Sequence, residues 1–136
     1  MSLKSAVIAA LLLAAGMASG AVPAPTQEIV EKVMKNGWDK AATTLNPKSV
    51  LTLNSVKFGK PYQATAQQVQ VEGVPAGATV TPAIVDFTVR NFYNGATQAV
   101  HRVREASVYK DKMDEWAVMT GSPKGQDTTT SEPIQK

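Results

Sequence analysis

Cysteine is absent from the 136 residues. The chain therefore has no disulfide, no thiolate metal ligand and no cysteine nucleophile, and its stability must come from burial. Histidine occurs once, as His101. A metal site built on several imidazoles is excluded, and so is a cysteine–histidine pair. A serine triad would have to use His101, and no Gly-x-Ser-x-Gly elbow surrounds any serine. Aromatic residues make up 6% of the chain. Large core anchors are accordingly few, and Trp38 and Trp116 are the best candidates. No glycine-rich loop of the kind that cradles phosphate precedes a helix, and nothing in the sequence asks for a cofactor. Carboxylates are present at Asp86, Glu105, Asp114 and Glu115, but the last two fall in a polar turn. The expectation is a protein that is not an enzyme.

The one long apolar run stands at the beginning. Lys4 supplies a positive start, Ala6 to Ala15 an apolar stretch, and Ala18-Ser19-Gly20-Ala21 a small-residue region. This order is that of a secretory signal peptide, and the run is too short for a stable spanning helix. Residues 1–21 are expected to be removed, with cleavage after Gly20 the close alternative, and the mature protein to be periplasmic or secreted. An uncleaved anchor is the other reading of the same segment. Without Lys4, 13 basic residues face 11 acidic ones, a net charge of +2. That near-neutral balance predicts neither nucleic acid nor an anionic membrane as partner, and no later stretch predicts stable membrane insertion. The expected partner is another exported or envelope protein.

Residues 22–120 read as a single α+β domain. Thr26 suits a helix N-cap, with Glu28 and Glu31 near the positive end of the dipole. Val30, Met34, Trp38, Ala41 and Leu45 then recur at helical spacing, and Asn46-Pro47 stops the run. Gly37 inside it suggests a close approach of the backbone to a packed neighbour. Beyond Pro47 the period becomes two. Strands are predicted at Val50 to Phe58, Tyr62 to Val71, Thr79 to Phe92, Ala96 to Tyr109 and Glu115 to Thr120, with a bulge near Asn54-Ser55 and another near Glu105-Ala106. Asn94-Gly95 is a hairpin signal, and Gly73-Val74-Pro75-Ala76-Gly77 is a turn. The segment 121–136 has no apolar periodicity and is expected to be a disordered tail. The whole is one N-terminal helix packed on a curled antiparallel sheet of four or five strands.

The hairpin admits two registers. With Asn94-Gly95 as the loop, Phe87 opposes Arg102 and Val85 opposes Arg104. With Ala96 added to the loop, Phe87 opposes Val103 and Asp86 opposes Arg104. The second register separates apolar from charged residues and is preferred. It collects Asp86, Arg90, Arg102 and Arg104 on an outward patch suited to an acidic partner. It also turns His101 toward the covered side, where Tyr62, His101 and Tyr109 would line a small-ligand pocket between helix and sheet.

Val69-Gln70-Val71-Glu72-Gly73 resembles the Gln-x-Val-x-Gly hairpin of cystatins, with Val69 standing where that family has Gln. The resemblance implies a hairpin carrying Gly73, Pro75 and Gly77 that inhibits a secreted hydrolase. The order of helix and sheet over residues 26 to 120 is similar to the cystatin-like and NTF2-like folds of small exported bacterial domains, including a late strand with Trp116. NTF2-like domains usually have further helices after the first, and none is expected from this sequence. What this resemblance implies is a cystatin-like architecture. A non-enzymatic binding or assembly module is the function expected, with a ligand carrier or an inhibitor as alternatives.

Overall fold

The computed structural model describes residues 23–45, 48–93 and 96–133. The predicted export signal, Asn46-Pro47, Asn94-Gly95 and the last three residues lie outside them. The fold is α+β, with one main helix and a six-strand antiparallel open sheet. Helix α1 spans Gln27–Leu45 and strand β1 Ser49–Phe58. The two-residue strand β2 (Tyr62–Gln63) and the short helix α2 (Ala66–Gln70) follow. Strands β3 (Thr79–Tyr93), β4 (Ala96–Lys110), β5 (Trp116–Pro123) and β6 (Thr128–Pro133) complete the chain. The sheet order is β1-β3-β4-β5, with β2 beside β3 and β6 beside β4.

The long β3–β4 hairpin organises everything else. Both strands run for 15 residues. On one edge β1 pairs with the far part of β3 and β2 with its beginning. On the other edge β5 pairs with the end of β4 and β6 with its beginning.

Helix α1 starts where the cap chemistry puts it: Ile29 N donates to Thr26 Oγ1 at 3.2 Å, and Val30 N to the Thr26 carbonyl at 3.1 Å. The helix lies across β1 and β5. Val30 is fully buried against Leu51, Leu53, Val85, Phe87, Val89 and Val108, with Met34 and Trp38 packed at the margin. The space between helix and sheet is thus filled by branched side chains, each contributing about 1.5–3 kcal/mol on burial. Trp38 and Trp116 are only partly buried, so valine rather than tryptophan forms the centre. Trp38 Nε1 donates to Ser49 Oγ at 3.2 Å, and Ser49 Oγ donates to Asn91 Oδ1 at 2.8 Å. Gly37 is exposed, and a Cβ added there would have nothing within 4 Å, so the expected close approach is absent.

A second, smaller core lies on the opposite face of the sheet. Val74, Val80 and Tyr109 are buried there beneath the segment that includes β2, α2 and the turn after them.

Three further sequence expectations change. The strand expected over 62–71 is β2 followed by α2. Thr65 Oγ1 accepts from Gln68 N at 3.2 Å and Gln68 Oε1 accepts from Thr65 N at 2.9 Å, and this reciprocal cap starts a helix in a Gln-rich stretch. The sheet has six strands rather than four or five, because the expected disordered tail is structured as far as residue 133. Backbone pairing to Ala96–His101 holds β6, and such pairing requires no apolar side chains. The hairpin takes the two-residue register: Tyr93 pairs with Ala96, Phe87 with Arg102 and Val85 with Arg104. The expected bulge near Glu105-Ala106 is present, as a register shift between Arg104 and Ala106 in the pairing of β4 with β5, and the β3–β4 ladder is continuous. The bulge between Leu53 and Ser55 is where the change of apolar face requires it.

Candidate functional site

The face of the sheet turned away from α1 carries an open groove of about 750 Å³. Register sets its floor. Pro82, Ser107 and Met119 form one cross-strand row, and Lys57, Ile84 and Glu105 form the next. The groove therefore runs across four strands, a width of about 14 Å at ~4.8 Å per strand. The α2 segment raises one wall, with Tyr62, Gln68 and Glu72 lining it. That wall is stiff because Gln68 ties it together: it is 8% exposed, donates from Nε2 to Tyr62 Oη at 2.8 Å, and its carbonyl accepts from Glu72 N and Val74 N. The floor is apolar at its centre, with Lys57 and Glu105 as charged ends. Lys124 Nζ lies 3.4 Å from Glu105. A site of this size, apolar with a few polar groups at fixed positions, suits an extended ligand.

Beyond the groove on the same face stands a polar cluster. His101 Nε2 lies 2.6 Å from Asp86 Oδ1, and Asn54 Nδ2 donates to both Asp86 Oδ1 and Thr88 Oγ1 at 3.0 Å. A carboxylate only accepts, so the Nε2 of His101 carries the proton. Asn54 faces outward by alternation after the inward Leu53, and the irregularity that follows sets Ser55 on the same face opposite Asp86. Among the described residues no serine or threonine hydroxyl is bonded to the His101 ring, which is 45% exposed.

The structure separates the predicted outward patch. Asp86 and Arg90 lie on the outer face, while Arg102 and Arg104 lie opposite Phe87 and Val85 on the face that α1 covers. Asp127 makes this possible. It accepts from Arg104 Nη1 at 2.7 Å and Nη2 at 2.9 Å, and lies 3.3 Å from Arg102 Nε without hydrogen-bond alignment. With their charge met by Asp127, the two arginines can lay their stems along apolar neighbours.

The predicted pocket is not assembled either. Tyr109 is buried in the small core, Tyr62 stands in the groove wall, and His101 sits on the open sheet beside Asp86, exposed rather than covered. None of the three faces α1. Burial raises the Tyr109 phenol above its ordinary value, with Asp111 and Glu72 adding to the effect. The predicted inhibitory hairpin is absent as a hairpin: Val69 and Gln70 belong to α2. Gly73 and Gly77, at φ of +77° and +78°, turn the chain from α2 into β3, with Pro75 between them. The groove residues Lys57, Gln68 and Met119 were not candidates in the sequence, and Glu105 was weighed there only as a carboxylate; the Thr65-x-x-Gln68 cap was the available signal for their wall.

The hydrogen bond from Arg104 is the main cause that holds the Asp127 carboxyl below its ordinary value of 3.8; desolvation opposes it, and the charges of Arg104 and Arg102 add to it. A carboxyl depressed in the folded state stabilises the fold above its ordinary range and loses that contribution as pH falls through the depressed value. Strand β6 is therefore expected to keep its protection at neutral pH and to loosen first below about pH 4. Hydrogen-exchange protection factors for Thr128 to Glu132, read against those of Val85 to Val89, check this; equal loss in both segments would contradict it.

Comparison with known proteins finds no family model, no curated protein and no solved structure that matches this chain. Among the described residues, no helix is long and apolar enough to cross a membrane.

Proposed function

We propose that this chain is an exported, non-enzymatic protein-binding or assembly module of cystatin-like architecture, acting in the periplasm or outside the cell. The groove across the outer face of the sheet carries this reading. It is open along its length, its floor is apolar between Lys57 and Glu105, and it adjoins the edge strand β1. Such a surface fits an extended segment of a protein partner, with main-chain pairing at a strand edge as a second source of affinity. One long helix ahead of an antiparallel sheet supports the cystatin-like architecture. The sequence of residues 1–21 supports export, and the partner is then another exported or envelope protein. The filled interface between α1 and the sheet speaks against a ligand carrier with its pocket there. The placement of Val69 and Gln70 in α2 removes the main support for a protease-inhibiting hairpin.

Native mass spectrometry of the untagged protein from its own periplasm tests the proposal. The expected result is a complex with a second protein and a chain that begins near Val22. In the same preparation, Ile84→Glu and Met119→Arg should reduce the complex at least tenfold. A bare monomer, a small-molecule adduct, or a complex indifferent to both substitutions would overturn it.

A further inference from the structure

Strand β6 is attached by a different chemistry from the strands around it. Thr128 to Ser131 are all exposed, and among the described side chains none of 124–132 belongs to either hydrophobic cluster. The strand is held by its ladder to Ala96–His101 and by a carboxylate near each end. Asp127 meets Arg102 and Arg104 on the helix-covered face, and Glu132 meets Arg90 on the outer face at 3.4 Å. The edge beneath it is well formed, with Thr97 and Ala99 buried there.

The link to β5 is also unusual. Pro123 pairs with Arg104, and Thr128 with His101. Residues 124–127 thus span only the length of Arg102 and Val103. The surplus is looped out with Gly125 at φ +102°, which other residues rarely adopt. Strands β5 and β6 run the same way along β4, so these four residues, if extended, would reach about 13 Å from Pro123 and leave β6 out of register with its own Ala96–His101.

We infer that the 124–133 segment exchanges between two copies of this chain, each copy's β6 completing the other's sheet at Ala96–His101. A second copy is the occupant whose fit the structure displays: it brings the same ladder and the same two carboxylates to the three arginines. Exchange keeps the β6 ladder and the contacts of Asp127 and Glu132, gives up the bond from Lys124 N to the Val103 carbonyl, and lets the looped link extend. Its opposing term is association entropy, so the closed monomer prevails when dilute and the exchanged dimer grows with concentration. The inference uses neither the groove nor its partner, and stands or falls separately from the proposed function.

The absence of cysteine makes the test clean. Ala99 pairs with Thr130, within reach of a disulfide in a cross-strand pair. Full-length Ala99→Cys and Thr130→Cys variants are mixed, concentrated and oxidised. The expected product is a covalent dimer whose bond peptide mapping places between positions 99 and 130 of different chains. Light scattering on the wild type should show a dimer fraction rising with concentration. Gly125→Val, which disfavours the looped link but suits an extended one, should raise the dimerisation constant roughly fivefold or more. A wild type and Gly125→Val that both stay monomeric at every concentration would overturn the inference. So would a dimer that forms without the 99–130 bond.

Discussion

Replacing Phe87 by alanine should lower the free energy of unfolding by about 3–5 kcal/mol. Phe87 is 6% exposed and pairs with Leu53 on one side and Arg102 on the other, on the face that α1 covers. Alanine would leave a void that the neighbouring strands, hydrogen-bonded on both sides, cannot close. Val103→Ala supplies the contrast. Val103 pairs with Asp86 on the outer face and is half-buried, so its loss should cost about 1 kcal/mol or less. Urea denaturation followed by circular dichroism measures both. The pair reads out the hairpin register directly, because in the other register Val103 would stand opposite Phe87 in the core. A Val103→Ala cost as large as that of Phe87→Ala would mean the register is wrong.

Gln68→Ala should cost about 2 kcal/mol, less than the loss of Phe87 but large for a single polar side chain. The substitution removes the acceptor for Thr65 N and the donor to Tyr62 Oη in a residue that is 8% exposed. The α2 wall of the groove should then loosen, and with it the cover over Val74. Gln68→Glu retains an acceptor for Thr65 N but loses the donor to Tyr62, and should cost about half as much. Urea denaturation again measures the difference. An unchanged midpoint in Gln68→Ala would show that the cap does not hold α2 in place.

The elements read correctly from the sequence are those whose local signals agree with their burial. Helix α1 has a capping threonine, a helical apolar stripe and a proline after its end. Val85, Phe87 and Val89 alternate with Asp86, Thr88 and Arg90, so β3 declares both its period and its inner face. The change of apolar face along β1 between Leu53 and Val56 requires a bulge, and it lies there. Helix α2 was locally encoded but masked, because its Gln-rich segment lacks an apolar period and the cap depends on one pair, Thr65 and Gln68.

The composition and patterning of the chain determined its class: a cysteine-free α+β domain with one amphipathic helix, a long central hairpin and no multi-histidine metal site. The tertiary structure decided the rest. Apolar matching between β3 and β4 favours the wrong register, because the true one sets Arg102 and Arg104 against a core face, which needs a counter-charge. That counter-charge is Asp127, 23 residues from Arg104 in sequence, and only the folded sheet brings it there. Strand β6 is likewise invisible to patterning, since an edge strand held by backbone ladders and end charges needs no apolar side chains. The groove arises from side chains of four strands and α2 brought into register, and long-range pairing of that kind is written in no single segment of the sequence.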